Sequence, residues 1–120
     1  MPSIRQEQVA EMIKRHFSMV LLDQGRYVYG DEALVTVTTV QISPDFSLAK
    51  VYLSVYNTEN KQEVILMMEE EATQLRHGLA QRLKKKMRRI PHLNFYLDDT
   101  LDEMYRLRDL FQKLKKDGEM

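Results

Sequence analysis

The sequence predicts an α+β sandwich: three strands in one sheet with helices packed on it, in the order α-β-β-α-(α)-β-α. Three observations predict it. Apolar residues recur at three- and four-residue steps at both ends and in the middle of the chain, and at steps of two over 34–56 and 92–97. A turn signal, Ser43-Pro44-Asp45, separates two runs rich in β-branched residues. Pro91 stands between the long helical stretch and the last alternating run, where a helix has to end.

The elements follow in order. Residues 3–22 form an amphipathic helix whose buried stripe is Val9, Met12, Ile13, Phe17, Val20 and Leu21, with Gly25 as its stop. The run "LVTVTTVQI" at 34–42 and the run "FSLAKVYLSVY" at 46–56 pair as an antiparallel hairpin. The second places Ala49, Val51, Leu53 and Val55 on one face, and Lys50, Tyr52, Ser54 and Tyr56 on the other. From about Asn60 a continuous helical stripe runs through Val64, Met68, Ala72, Leu75, Leu79, Leu83, Met87 and Ile90. Gly78 offers a place for it to bend, and its last turn can unwind before Pro91. "HLNFYL" at 92–97 is a third strand with Leu93, Phe95 and Leu97 inward; it follows a long helix, so it can pair parallel to an earlier strand. Thr100 caps a final helix with the seam Leu101, Met104, Leu107, Phe111 and Leu114. No linker, internal repeat or low-complexity tract interrupts the 120 residues, which predicts one domain over 1–120.

Composition excludes several classes. The chain is 43 % hydrophobic and 30 % charged, which suits a globular core rather than disorder. No stretch has the length and apolarity of a membrane span, and the first residues lack a signal-peptide core. Cysteine is absent, which removes disulfides and thiolate chemistry and fits a cytoplasmic location. Net charge is zero, yet residues 76–89 hold seven basic side chains and no acid, while residues 51–75 hold one against five acids. Such segregation says more about partners than the total does.

Catalytic chemistry has no constellation to stand on. His16, His77 and His92 lie on different elements without metal-ligand spacing, and the four glycines stand apart, so neither a zinc site nor a phosphate loop is predicted. The carboxylate clusters at 69–71 and 98–99 read as a solvated helix face and a strand end. No nucleophile, base and charge stabiliser occur together, so the expectation is a non-enzyme without cofactor or metal.

The basic segment remains. Two or three cations would suit the negative end of a helix dipole, but five within 84–89 repel one another and exceed that need. On one ordered element they would make a phosphate-binding stripe of Arg76, Arg82, Lys84, Lys85, Lys86, Arg88 and Arg89. Lys84, Lys85 and Arg88 point away from the apolar side of an ideal helix, whereas Arg76 and Lys86 fall close to it. Lys14, Arg15 and Lys50 are further candidates. Tyr27, Tyr29, Tyr52, Tyr56 and Tyr96 are candidates for stacking on bases, or equally for ordinary amphipathic positions.

The combination of residues resembles the ribosome-binding factor A family, bacterial small-subunit assembly factors. The resemblance is carried by Val40-x-Ile42-Ser43, Asp45, Ala49-Lys50-Val51-Tyr52, Leu75-Arg76, Leu79-Ala80, and the set Arg88, Pro91, Leu93, Phe95 and Asp98. It implies a type II KH-like domain, α-β-β-α-(kink)-α-β plus a C-terminal helix, without the GxxG loop of ordinary KH domains. It also implies a protein that binds 16S rRNA within the free 30S subunit, assists maturation of the 5′ end of that rRNA and supports growth in the cold; with no apolar span in the sequence, the expectation is a monomer that touches no membrane. Family members often begin with two arginines three apart; here the positions are Arg5 and Gln8, so Arg5 alone is carried over as an RNA contact. Where the family kink carries Ala-x-Gly, this chain has Glu71-Ala72-Thr73, leaving two places for the bend, 71–73 or Gly78. A general single-stranded RNA-binding KH-like module and a protein–protein adaptor remain as alternatives.

Overall fold

The computed structural model describes residues 2–98. The element order is α1 (Ile4–Tyr29), β1 (Leu34–Ile42), β2 (Leu48–Tyr56), α2 (Lys61–Glu70), α3 (Ala72–Leu83) and β3 (His92–Leu97). The expected helix after Thr100 lies outside the described residues.

Ser3 starts α1 with a capping box: its Oγ accepts from the Gln6 N–H, and the Gln6 side chain accepts from the Ser3 N–H. The Gln6 amide also donates to the Ile42 carbonyl at 2.9 Å, tying the helix start to the end of β1. Contrary to expectation, the helix runs through Gly25 and stops at Tyr29. Gly25 is buried, and a Cβ there would overlap the Tyr29 side chain, so the glycine makes room rather than ending the helix. Gly30 is the stop. Its φ of 89° is one that side-chain-bearing residues avoid.

The hairpin between β1 and β2 is built by its turn. Asp45 Oδ1 accepts from the Ser43 hydroxyl at 2.8 Å and from the Ser47 hydroxyl and N–H at 2.7 and 3.1 Å. This places Phe46 at φ 62° and starts β2 at Leu48, two residues later than its apolar run. The antiparallel register shifts between Val37 and Thr39, so Thr38 is an extra residue. Its hydroxyl bonds the Tyr52 carbonyl and the Asp98 carboxylate. Past this bulge the inward residues change from odd to even: Val37 before it, Val40 and Ile42 after.

Strand β3 pairs parallel to β2, with Ala49 beside Leu93 and Val51 beside Phe95, giving the order β1-β2-β3. All three described helices pack against the inward face. Phe17 of α1 stacks on Phe95 with ring centroids 5.7 Å apart, an aromatic contact adding about 0.5–1.5 kcal/mol beyond its buried area. Met68 of α2 and Leu75, Leu79 and Leu83 of α3 complete this core, all fully buried. Glu69 of α2 accepts from the Phe95 N–H at 3.0 Å, occupying a donor on the edge of β3.

The helical stretch from residue 61 breaks at Glu71, whose φ of −102° and ψ of 19° leave the helical region. The bend therefore falls at the first of the two expected places and needs no glycine. Gly78 instead lies inside α3, against α1, where a Cβ would sit 3.2 Å from Val20 Cγ1. A second departure concerns the far end. The stripe does not continue to Ile90: α3 stops at Leu83, residues 84–86 form a turn, and 87–90 are irregular. Lys86 and Met87 both donate their N–H to the Leu83 carbonyl. Two requirements end the helix: Pro91 disfavours helical geometry at residue 90, and the chain must reverse to enter β3 parallel to β2.

Candidate nucleic-acid interface

The early end of α3 redistributes the expected stripe. Only Arg76 and Arg82 stand on the helix; Lys84, Lys85 and Lys86 sit on the turn, and Arg88 and Arg89 on the irregular segment. The expectation of one basic helical face is corrected to a basic turn and loop. Lys86, misplaced on an ideal helix, is simply exposed here.

Arg76 is half-buried and directed inward. Its Nε donates to the Pro91 carbonyl at 3.1 Å and its Nη2 to the Ile90 carbonyl. Both acceptors belong to buried residues at the end of the basic segment, so the guanidinium pins that segment to α3. Arg82, Lys84, Lys85, Lys86, Arg88 and Arg89 are all exposed, and none faces a carboxylate at ion-pair distance among the described residues. Their mutual repulsion is unrelieved within the described part of the fold.

The loop lies along α1 and closes a groove of about 570 Å³. One wall is Arg5, Gln8, Val9 and Met12; the other is Lys86, Met87, Arg88 and Arg89; Phe46, from the hairpin turn, forms an end. Arg5, at the N-terminal end of α1, thus joins the basic loop. Farther along α1, Arg15 joins Arg82 and Lys86 around His16. Burial, then the charges of Lys86, Arg82 and Arg15, hold the His16 imidazole below its usual range. Its Nδ1 is buried without a hydrogen-bond partner among the described residues.

Lys14 and Lys50 stand away from both the groove and the cluster around His16. Lys14 is about 200° around α1 from Met12, on another flank of the helix. Lys50 is exposed on the outward face of β2, beside Gln41 and Asn94, with the sheet between it and the helices. Conversely, Gln8, Met12, Phe46, Met87 and His16 are groove or cluster residues that charge counting passes over. Arg5, Gln8, Met12 and Arg15 recur at three- and four-residue steps, a periodic signal that was present in the sequence. No group of three or more histidines and acids that could hold a metal ion occurs among the described residues. No described helix is long and apolar enough to cross a membrane.

The α-β-β-α-kink-α-β order, the parallel β2–β3 pair and a cationic groove without a GxxG loop, unneutralised among the described residues, define a KH-like α+β domain with a basic groove on its surface. A family model described as ribosome-binding factor A matches residues 5–111. The ribosome-binding factor A of Cytophaga hutchinsonii is 34 % identical, over 99 % of this chain and 91 % of its own. The crystal structure of ribosome-binding factor A from Thermus thermophilus superposes with a TM-score of 0.63 at 22 % identity, covering 77 % of this chain and 94 % of that one. A Thermus thermophilus ribosome-binding factor A model fitted into a cryo-EM map of a 30S complex gives 0.59 at 24 %, covering 74 % and 90 %. The chain belongs to the ribosome-binding factor A family.

Proposed function

We propose that this chain, acting as a single monomeric domain in the cytoplasm, binds 16S rRNA in the free 30S subunit and assists maturation of its 5′ end. It does so without catalysis or cofactor. The observation that carries the reading is the groove, where Arg5, Lys86, Arg88 and Arg89 face one another across α1 and the basic loop with no acid among the described residues to neutralise them. The related Thermus thermophilus protein fitted into a 30S complex supports the choice of partner.

Arg82, Lys84 and Lys85 extend the same surface, and Arg15 continues it along α1. Arg76 serves it by position, holding the loop against α3. Binding energy of this kind stabilises whichever rRNA conformation presents phosphates to the groove, and so shifts a folding equilibrium rather than making or breaking bonds. Five phosphate contacts would give a slope of log K against log salt of roughly −4.5 on duplex, and a shallower one on single strands. Competition between free small subunits and unstructured RNA tests the reading. Subunits should displace the protein from unstructured RNA at far lower concentration, whereas equal affinity for both would defeat the assembly-factor assignment.

A further inference from the structure

The described helices cover one face of the sheet, and the other face has a pattern of its own. Strand register sets two rows side by side on it. Gln41, Lys50 and Asn94 form one row, and Thr39, Tyr52 and Tyr96 the next. Lys50, Gln41 and Thr39 are exposed, Tyr96 keeps 39 % of its surface in solvent, and Tyr52 and Asn94 are half-buried. The two tyrosines stack with centroids 5.4 Å apart and planes 28° from parallel.

A cross-strand aromatic pair stabilises a sheet by itself. Its setting here asks for more. Lys50 and the amides of Gln41 and Asn94 lie in the adjoining row and give the aromatic surface a donor-rich border on that side, while the Asp98 carboxylate, bonded by the Thr38 hydroxyl, stands beyond Tyr96 at the end of the strand. The face is also continuous with the groove. Arg88 and Arg89 lead through Pro91 into His92, and His92, Asn94 and Tyr96 then point outward in succession, about 6.7 Å apart. A strand of RNA leaving the basic loop would meet that outward row next.

We propose that the face of the sheet opposite the described helices is a second RNA contact, on which unpaired nucleotides stack against Tyr96 and Tyr52 while Asn94, Gln41 and Lys50 meet their base edges and backbone. The inference rests on the RNA-binding function proposed above and deepens it. The groove's phosphate contacts take paired and unpaired RNA alike, whereas a stacking platform accepts only bases free of a duplex. It also gives Lys50 a place, on the platform rather than in the groove.

The test is titration of the full chain with oligouridine of about ten nucleotides, within the span one such platform binds, and with an RNA duplex of equal length. Followed by NMR, oligouridine should shift the resonances of Tyr52, Tyr96 and Asn94, and the duplex should not. Tyr96→Thr, β-branched and suited to a strand, should weaken oligouridine binding about tenfold, in the range of one lost base stack. It should leave the salt slope unchanged, and Tyr96→Phe should retain wild-type affinity. Shifts confined to α1 and residues 82–89, or unaltered affinity in Tyr96→Thr, would overturn the platform and leave the groove standing. The groove reading fails separately if Lys85→Glu with Arg88→Glu alters neither affinity nor salt slope. Failure of the intact chain to bind RNA would remove both.

Discussion

Replacing Arg76 with leucine separates structural from RNA-contacting cations most cleanly. The guanidinium gives two hydrogen bonds to the carbonyls of Ile90 and Pro91, both in buried residues. Hydrogen bonds from a charged donor are each worth about 1.5–3 kcal/mol, and carbonyls left buried without a donor add a desolvation cost. The two bonds share one donor group, so their loss is less than additive, and Arg76→Leu should cost about 2–4 kcal/mol. With a urea m-value of about 1.5 kcal/mol/M, the unfolding midpoint should fall by roughly 1.3–2.7 M. Amide exchange should accelerate most over residues 84–92, which lose their anchor. Arg76→Lys should be intermediate, because an ammonium can reach one carbonyl but lacks the planar fork. A midpoint shift below about 0.3 M together with a large loss of RNA affinity would refute this reasoning, making Arg76 a direct phosphate contact.

Other outcomes follow from single features. Gly30→Ala should destabilise the fold by about 1–3 kcal/mol in chemical unfolding although nothing lies near its Cβ position, because only the backbone angle objects. Hydrogen bonds from Ser47 and Ser43 hold the exposed Asp45 carboxyl at about 2, below its unfolded value near 3.8. Its contribution is therefore present above about pH 4 and lost as pH falls through 2. Urea midpoints of wild type and Asp45→Asn should differ at neutral pH and converge near pH 2. His16 should titrate below 6.5 by NMR, and Lys86→Gln with Arg82→Gln should move it upward by removing two of the charges that depress it.

What was legible in the sequence depended on where each cause lay. The spans 34–42 and 92–97 were readable because β-branched alternation and flanking turn residues are local signals, and the strands occupy those residues. The parallel pairing of β3 followed from the helical crossover before it. The bulge left one trace, a step of three between Val37 and Val40 in a period of two, which a tally of β-branched residues passes over. Gly25 looked like a stop because its helix-favouring role, giving space to Tyr29, depends on a side chain four residues away. The basic run read as helix because Lys and Arg are good helix formers, and the need to turn into β3 is a tertiary demand.

The same division explains the candidate interface. Counting cations located the basic loop, and the family resemblance added Arg5, which the structure sets across the groove from it. Arg76 gave no sign of its partners, because backbone carbonyls carry no residue identity. Lys14 and Lys50 were near in sequence to the right elements but lie on other faces of them.

In the proposed function, the basic loop delivers this chain to the small subunit. Co-sedimentation with free small subunits and with translating ribosomes, comparing wild type with Lys85→Glu/Arg88→Glu, tests it most directly. Wild type should travel with free subunits alone, and the double variant should stay unbound while its circular dichroism remains native. A natively folded double variant that sediments with subunits as wild type does would contradict it.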